Sequence, residues 1–151
     1  MWGARSLCDA SLSSGYRHCV IFVSKNPNPD IVEQLDQHGH ECAIAGPVWH
    51  ELTYGCRRLP QGKRRSALEN YLHDVVQASF TILPYDEVAA TWHGRERARL
   101  GRPAPYVDGQ IAAIAHANGL VVVTINTRDF ARFRGLQVEN WSKPPAAIDR
   151  R

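Results

Sequence analysis

Residues Leu120 to Ile125 read Leu-Val-Val-Val-Thr-Ile, and this run constrains the fold more than any other feature. It is too short to span a membrane and has the length of a strand. Successive strand side chains point to opposite faces, so a run apolar at nearly every position is apolar on both. Such a strand needs cover on both sides, which is the condition of a central strand in a parallel sheet wrapped by helices.

The rest of the chain supplies neighbours and cover. Cys42-Ala43-Ile44-Ala45, Phe80 to Leu83 and Leu136-Gln137-Val138 read as further short strands, and Cys19 to Val23 is an apolar run that suits a buried strand or a helix start. Helix signals lie between them. Asn28-Pro29-Asp30 opens a helix with a cap residue and a proline at its first position, and Gly39 closes it. Pro47 opens another through Val48, Leu52 and Leu59, broken by Pro60-Gln61-Gly62. Leu68, Tyr71, Leu72, Val75 and Val76 recur at helical spacing. Asp86 to Leu100 and Pro105 to Asn118-Gly119 make two more helices, and a short one begins near Thr127. This alternation predicts an α/β fold, a parallel sheet sandwiched by helices. Ligands of such sheets bind beyond the carboxyl ends of the strands.

The chain has 151 residues, the size of one domain, and 44% are apolar, enough for a core. Lysine and arginine number 18 against 15 acids, a net charge of +3 that permits an anionic partner without requiring one. No run is long enough for a membrane span, and the N-terminus lacks the apolar core of a secretory signal. Cys8, Cys19, Cys42 and Cys56 stand apart with no Cys-x-x-Cys pair. That argues against a zinc ribbon or a dithiol redox site and makes a reduced, cytoplasmic setting the expectation. Residues 1–16 lack helix or strand period and residues 1–18 are an atypical N-terminal segment, residues 19–141 form the domain, and residues 142–151, with Pro144-Pro145, read as a flexible tail.

Three acids fall where chemistry is expected. Glu51 lies on the helix after the 42–45 strand, Asp108 in the first turn of the helix opened by Pro105, and Asp129 just past the 120–125 strand. Taken singly, each is an ordinary acid at a helix start or on a solvated face. Together they can converge on one end of the sheet. Clustered carboxylates repel one another, and a hard divalent cation relieves the repulsion. Such a cation makes a bound water a better nucleophile and offsets charge developing on a phosphate. The pattern suits phosphodiester hydrolysis without a covalent intermediate.

The segments Pro47 to Gly55 (PVWHELTYG), Tyr106 to Ala115 (YVDGQIAAIA) and Thr124 to Phe130 (TINTRDF) resemble, in order, the motif set of PIN-domain ribonuclease toxins of the VapC type. Asn26-Pro27-Asn28-Pro29 is similar to that family's first helix region. The resemblance runs from about Cys19 to Trp141. It implies a PIN-like α/β/α sandwich, Mg2+-dependent RNA cleavage with Mn2+ as a substitute, a homodimer, and inhibition by a VapB-type antitoxin. By the same resemblance, Glu51, Asp108 and Asp129 are the catalytic acids and metal ligands, and Asn126 and Thr124 line the site.

The N-terminus departs from the family. A first strand ending in Leu-Asp-Thr should put its metal-binding aspartate at Arg17 and its threonine at His18, and Asp9, the sole acid before Asp30, stands eight residues too early. An arginine there repels a metal. A chain so altered is expected to lack one ligand and the first strand. Tyr16-Arg17-His18-Cys19 can be encoded TAT-CGA-CAC-TGC, and reading one nucleotide later gives Ile-Asp-Thr. Residues 1–18 therefore read as a segment out of the ancestral frame. A catalytically inactive PIN fold that binds an antitoxin or RNA without cleavage is the alternative function.

Other constellations are weaker. His38-Gly39-His40 carries metal-type ligands with no second pair to close a site. Lys63-Arg64-Arg65 and Arg95, Arg97, Arg99 and Arg102 are solvated helix faces or RNA-backbone contacts. Trp49, Trp92 and Tyr106 suit core packing, or stacking on unpaired bases. A phospho-accepting receiver domain would need adjacent acids after the first strand, and there are none.

Overall fold

The computed structural model describes residues 19–21, 37, 39–102 and 104–142. Five short strands make one sheet: β1 (Cys19–Ile21), β2 (Cys42–Ala45), β3 (Thr81–Leu83), β4 (Val121–Val123) and β5 (Val138–Glu139). The order is β3-β2-β1-β4-β5, and every pairing is parallel. The sheet sandwiched by helices is thus as predicted, and β4 is buried at all three positions.

The expectation that the first strand is missing is corrected. Cys19–Ile21 fills the central place, with Cys19 opposite Cys42 on one side and Val121 on the other. The apolar run itself provides the strand. Cys42 is disulfide-bonded, which corrects the expectation of reduced cysteines at that position, whereas Cys56 is a free buried thiol.

Helices connect the strands. Pro47 opens α1 (Gly46–Arg57), which buries Val48 and Cys56. α2 (Lys63–Tyr71) runs into one π-helical turn, Leu72–Gln77. The apolar stripe is split there: Leu72 and Val76 are buried, while Tyr71 and Val75 are exposed. α3 (Glu87–Leu100) is capped by Asp86, whose carboxylate accepts the Ala89 N–H at 2.9 Å. α4 (Tyr106–Ala117) places Ile111, Ala112, Ala113, Ile114 and Ala115 in the core, each at most 1% exposed. Its alanines let it lie flush on the sheet and on α3. Gly119 ends it at φ 65°, the left-handed conformation a glycine adopts freely. α5 (Thr127–Phe130) is one turn that buries Phe130.

The helix expected from Asn28 lies outside the described residues. Gly39–Glu41 is a 3-10 turn in which His40 pairs with Glu41 at 3.4 Å. Among the described residues, no helix is long and apolar enough to cross a membrane.

Candidate active site

The topology gathers the three sequence-predicted acids at one edge of the sheet. α1 leaves the carboxyl end of β2, and α5 follows the carboxyl end of β4. α4 leads into the start of β4 through Asn118–Leu120, so its own first turn stands back at the carboxyl edge.

Asp108 and Asp129 come together. Asp108 is half-buried in the first turn of α4. Burial first, and the charge of Asp129 second, push its carboxyl above the ordinary carboxylate range. Asp129 is itself positioned. Thr124, 5% exposed at the end of β4, accepts the Asn126 N–H on its hydroxyl at 3.0 Å. That tight turn aims the Asn126 side chain, whose Nδ2 donates to Asp129 Oδ2 at 2.7 Å. The residues expected to line the site, Asn126 and Thr124, form a relay from the buried strand end to one carboxylate.

Glu51 is exposed on the second turn of α1. It does not complete the cluster, because among the described residues no three histidine, cysteine or acidic side chains are close enough together to hold a metal ion. Arg17 and Asp9 lie outside the described residues. Two carboxylates still fit Mg2+. It takes oxygen ligands, keeps several waters, and needs only one or two protein carboxylates when a substrate phosphate supplies more. The charge pressed onto half-buried Asp108 is what such an ion relieves.

One group near the acids escaped the sequence reading. Tyr85 Oη and His93 Nδ1 are 2.9 Å apart, and the His93 ring, 2% exposed, lies 5.1 Å from that of Tyr106. Arg97 sits over the other partner, its guanidinium 5.0 Å from the Tyr106 ring. Burial first, then the charge of Arg97, holds the His93 imidazole below its ordinary range. Trp92 stacks on His116 at 4.4 Å, in keeping with its expected inward role. A glycine beside Asp108 was the one available sign of close helix approach.

Over residues 18–136 the chain matches the family model of the PIN domain. It belongs to the PIN-domain family. This PIN domain is 35% identical over 126 residues to a protein of Shigella flexneri named tRNA(fMet)-specific endonuclease VapC, spanning 81% of this chain and 92% of the relative. Among solved structures, DNA-bound VapBC from Salmonella typhimurium is similar with a TM-score of 0.70 at 30% identity, covering 83% of this chain and 98% of that one. FitAcB from Neisseria gonorrhoeae gives a TM-score of 0.73 at 26% identity, covering 82% and 97%. The predicted family and fold class are both borne out.

Proposed function

We propose that this PIN domain is a ribonuclease, an Mg2+-dependent endonuclease that hydrolyses RNA phosphodiester bonds as the toxin of a type II toxin–antitoxin pair. The Asp108–Asp129 pair carries the reading, since two carboxylates pressed together at the carboxyl edge of a parallel sheet suit a hard cation and a phosphate. Kinship with a relative named as an endonuclease supports the same reaction class. In this reading Asp108 and Asp129 hold Mg2+, with Glu51 as the third carboxylate on the same edge. Asn126 orients Asp129, and Thr124 fixes the turn that aims Asn126. When bound, the cation polarises a water and offsets charge on the phosphate. The partners are an RNA substrate, a VapB-type antitoxin protein and a second copy of the chain.

The test is RNA cleavage that EDTA abolishes and that Asp108→Asn lowers on the order of a hundredfold or more. Undiminished cleavage by that variant overturns the assignment.

A second reading rests on Arg17. If the position expected to carry a first aspartate holds a cation, the metal site is incomplete and the protein acts by binding antitoxin or RNA alone. Calorimetry with Mg2+ beside capture of a purified VapB-type protein separates the two: antitoxin capture without Mg2+ binding favours the second. The same residues underlie the proposal that segment 1–18 is out of its ancestral frame. A gene without Asp-Thr codons in the adjacent frame overturns that.

A further inference from the structure

Buried His93 is aimed at α4. A Cβ built on Gly109 would lie 2.0 Å from His93 Nε2 and 2.8 Å from both neighbouring ring carbons. No real side chain fits at that distance. Gly109 is therefore required by the approach of an imidazole rather than by its own backbone angles. Its N–H donates to Pro105 O at 3.1 Å in an ordinary helical bond.

The ring cannot retreat. Tyr85 holds Nδ1 from one side, Tyr106 packs at 5.1 Å, and the residue is 2% exposed. On α3, His93 lies on a buried stripe with Ala89 and Glu96. On α4, Gly109 follows Asp108 directly. The first turn of α4 thus rests on a fixed ring, and Asp108 is carried one residue from the point of contact.

We propose that His93 is a positioning residue: a wedge between α3 and α4, matched to Gly109, that sets where Asp108 stands opposite Asp129. It touches no reacting atom and acts through the helix backbone. The proposal deepens the ribonuclease reading and rests on it. A mere core residue would affect stability alone, whereas a positioning residue moves the acid.

The experiment uses the full chain, with Gly109→Ala, His93→Ala and the double variant. Three quantities are measured for each: unfolding in urea, Mn2+ affinity by calorimetry without RNA, and kcat and KM for RNA cleavage. Gly109→Ala is expected to weaken Mn2+ binding at least fivefold and to lower kcat at least tenfold, with KM within about twofold of wild type. In the double variant the ring is gone and the methyl has room. Mn2+ affinity and kcat then return to within about threefold of His93→Ala alone, and the urea midpoints of the single variants fail to add.

An unrescued double variant overturns the proposal, as does a Gly109→Ala protein with wild-type Mn2+ affinity and kcat. If Gly109→Ala fails to fold, a folded double variant with the expected affinity and kcat still supports it. Wild-type protein that binds Mn2+ but cuts no RNA overturns the ribonuclease reading while the affinity arm still decides on His93. Wild-type protein that does neither overturns both.

Discussion

At the scale of the residue, Asp129 depends on a single neutral neighbour. Asn126 is exposed and the hydrogen bond its side-chain amide donates to Asp129 is short, 2.7 Å, so it contributes orientation rather than stability. Asn126→Ala is expected to lower kcat about tenfold, or roughly 1.4 kcal/mol of barrier, and to leave the melting temperature nearly unchanged. A shift of several degrees would mean the bond is structural. Arg17→Asp is expected to raise Mg2+ affinity and cleavage together, because it exchanges a repelled charge for a ligand. No gain in either would show that position 17 is not the missing ligand. Asp108 and Asp129, which the structure brings together, stand in the sequence within recognisable motifs, whereas the motif around Glu51 did not foretell its exposed place apart from them. His93 was not legible: its fit to Gly109 crosses two helices, and no spacing within one chain reports it.

At the scale of the element, the tip of α3 is pinned to the turn after α5. Arg99 grips both oxygens of Glu96 at 2.9 and 2.6 Å, and the Arg134 N–H donates to the same carboxylate at 3.0 Å. Arg99 also reaches Arg132 O, and Arg132 reaches Arg102 O. The hydrogen bonds from Arg99 chiefly, aided by the backbone donor, hold the Glu96 carboxyl below its ordinary range. A lowered folded pKa means the contribution is complete above the unfolded value, near pH 4.3, and is lost as pH falls through the folded one. Glu96→Gln should lower the melting temperature by roughly 4 °C at pH 7 and should cost less at pH 3. An equal cost at both pH values would refute the ionic role. In the turn after β4, Thr124→Val should cost about 1 kcal/mol by unpairing the Asn126 N–H, read by urea unfolding, and should lower kcat with it.

Elements were mostly legible where apolar period matched packing, as in Cys42–Ala45 and α4. The inward stripe of α3 is Ala89, His93 and Glu96, two of them polar, and apolar periodicity cannot register it. Of the apolar positions 71, 72, 75 and 76 only Leu72 and Val76 face inward, and spacing alone does not choose between those two adjacent i, i+4 rows.

At the scale of the whole molecule, a net charge of +3 permits an anionic partner, and affinity for one would come from local basic contacts. If RNA binding uses about three phosphate contacts, its affinity should fall on the order of tenfold between 50 and 200 mM salt. A salt-independent affinity would point to recognition by stacking or hydrogen bonding alone. The sheet has a further consequence, for synthesis. Central strand β1 is the earliest described element, yet one of its two edges is closed by β4, with Cys19 opposite Val121. The ribosome must add about a hundred residues between them, a wait on the order of 5–20 s at ordinary elongation rates. Throughout that interval the sheet is open at its middle. Any activity that depends on the closed sheet is therefore withheld until β4 has been made, and a chain cut short before Val121 never gains it.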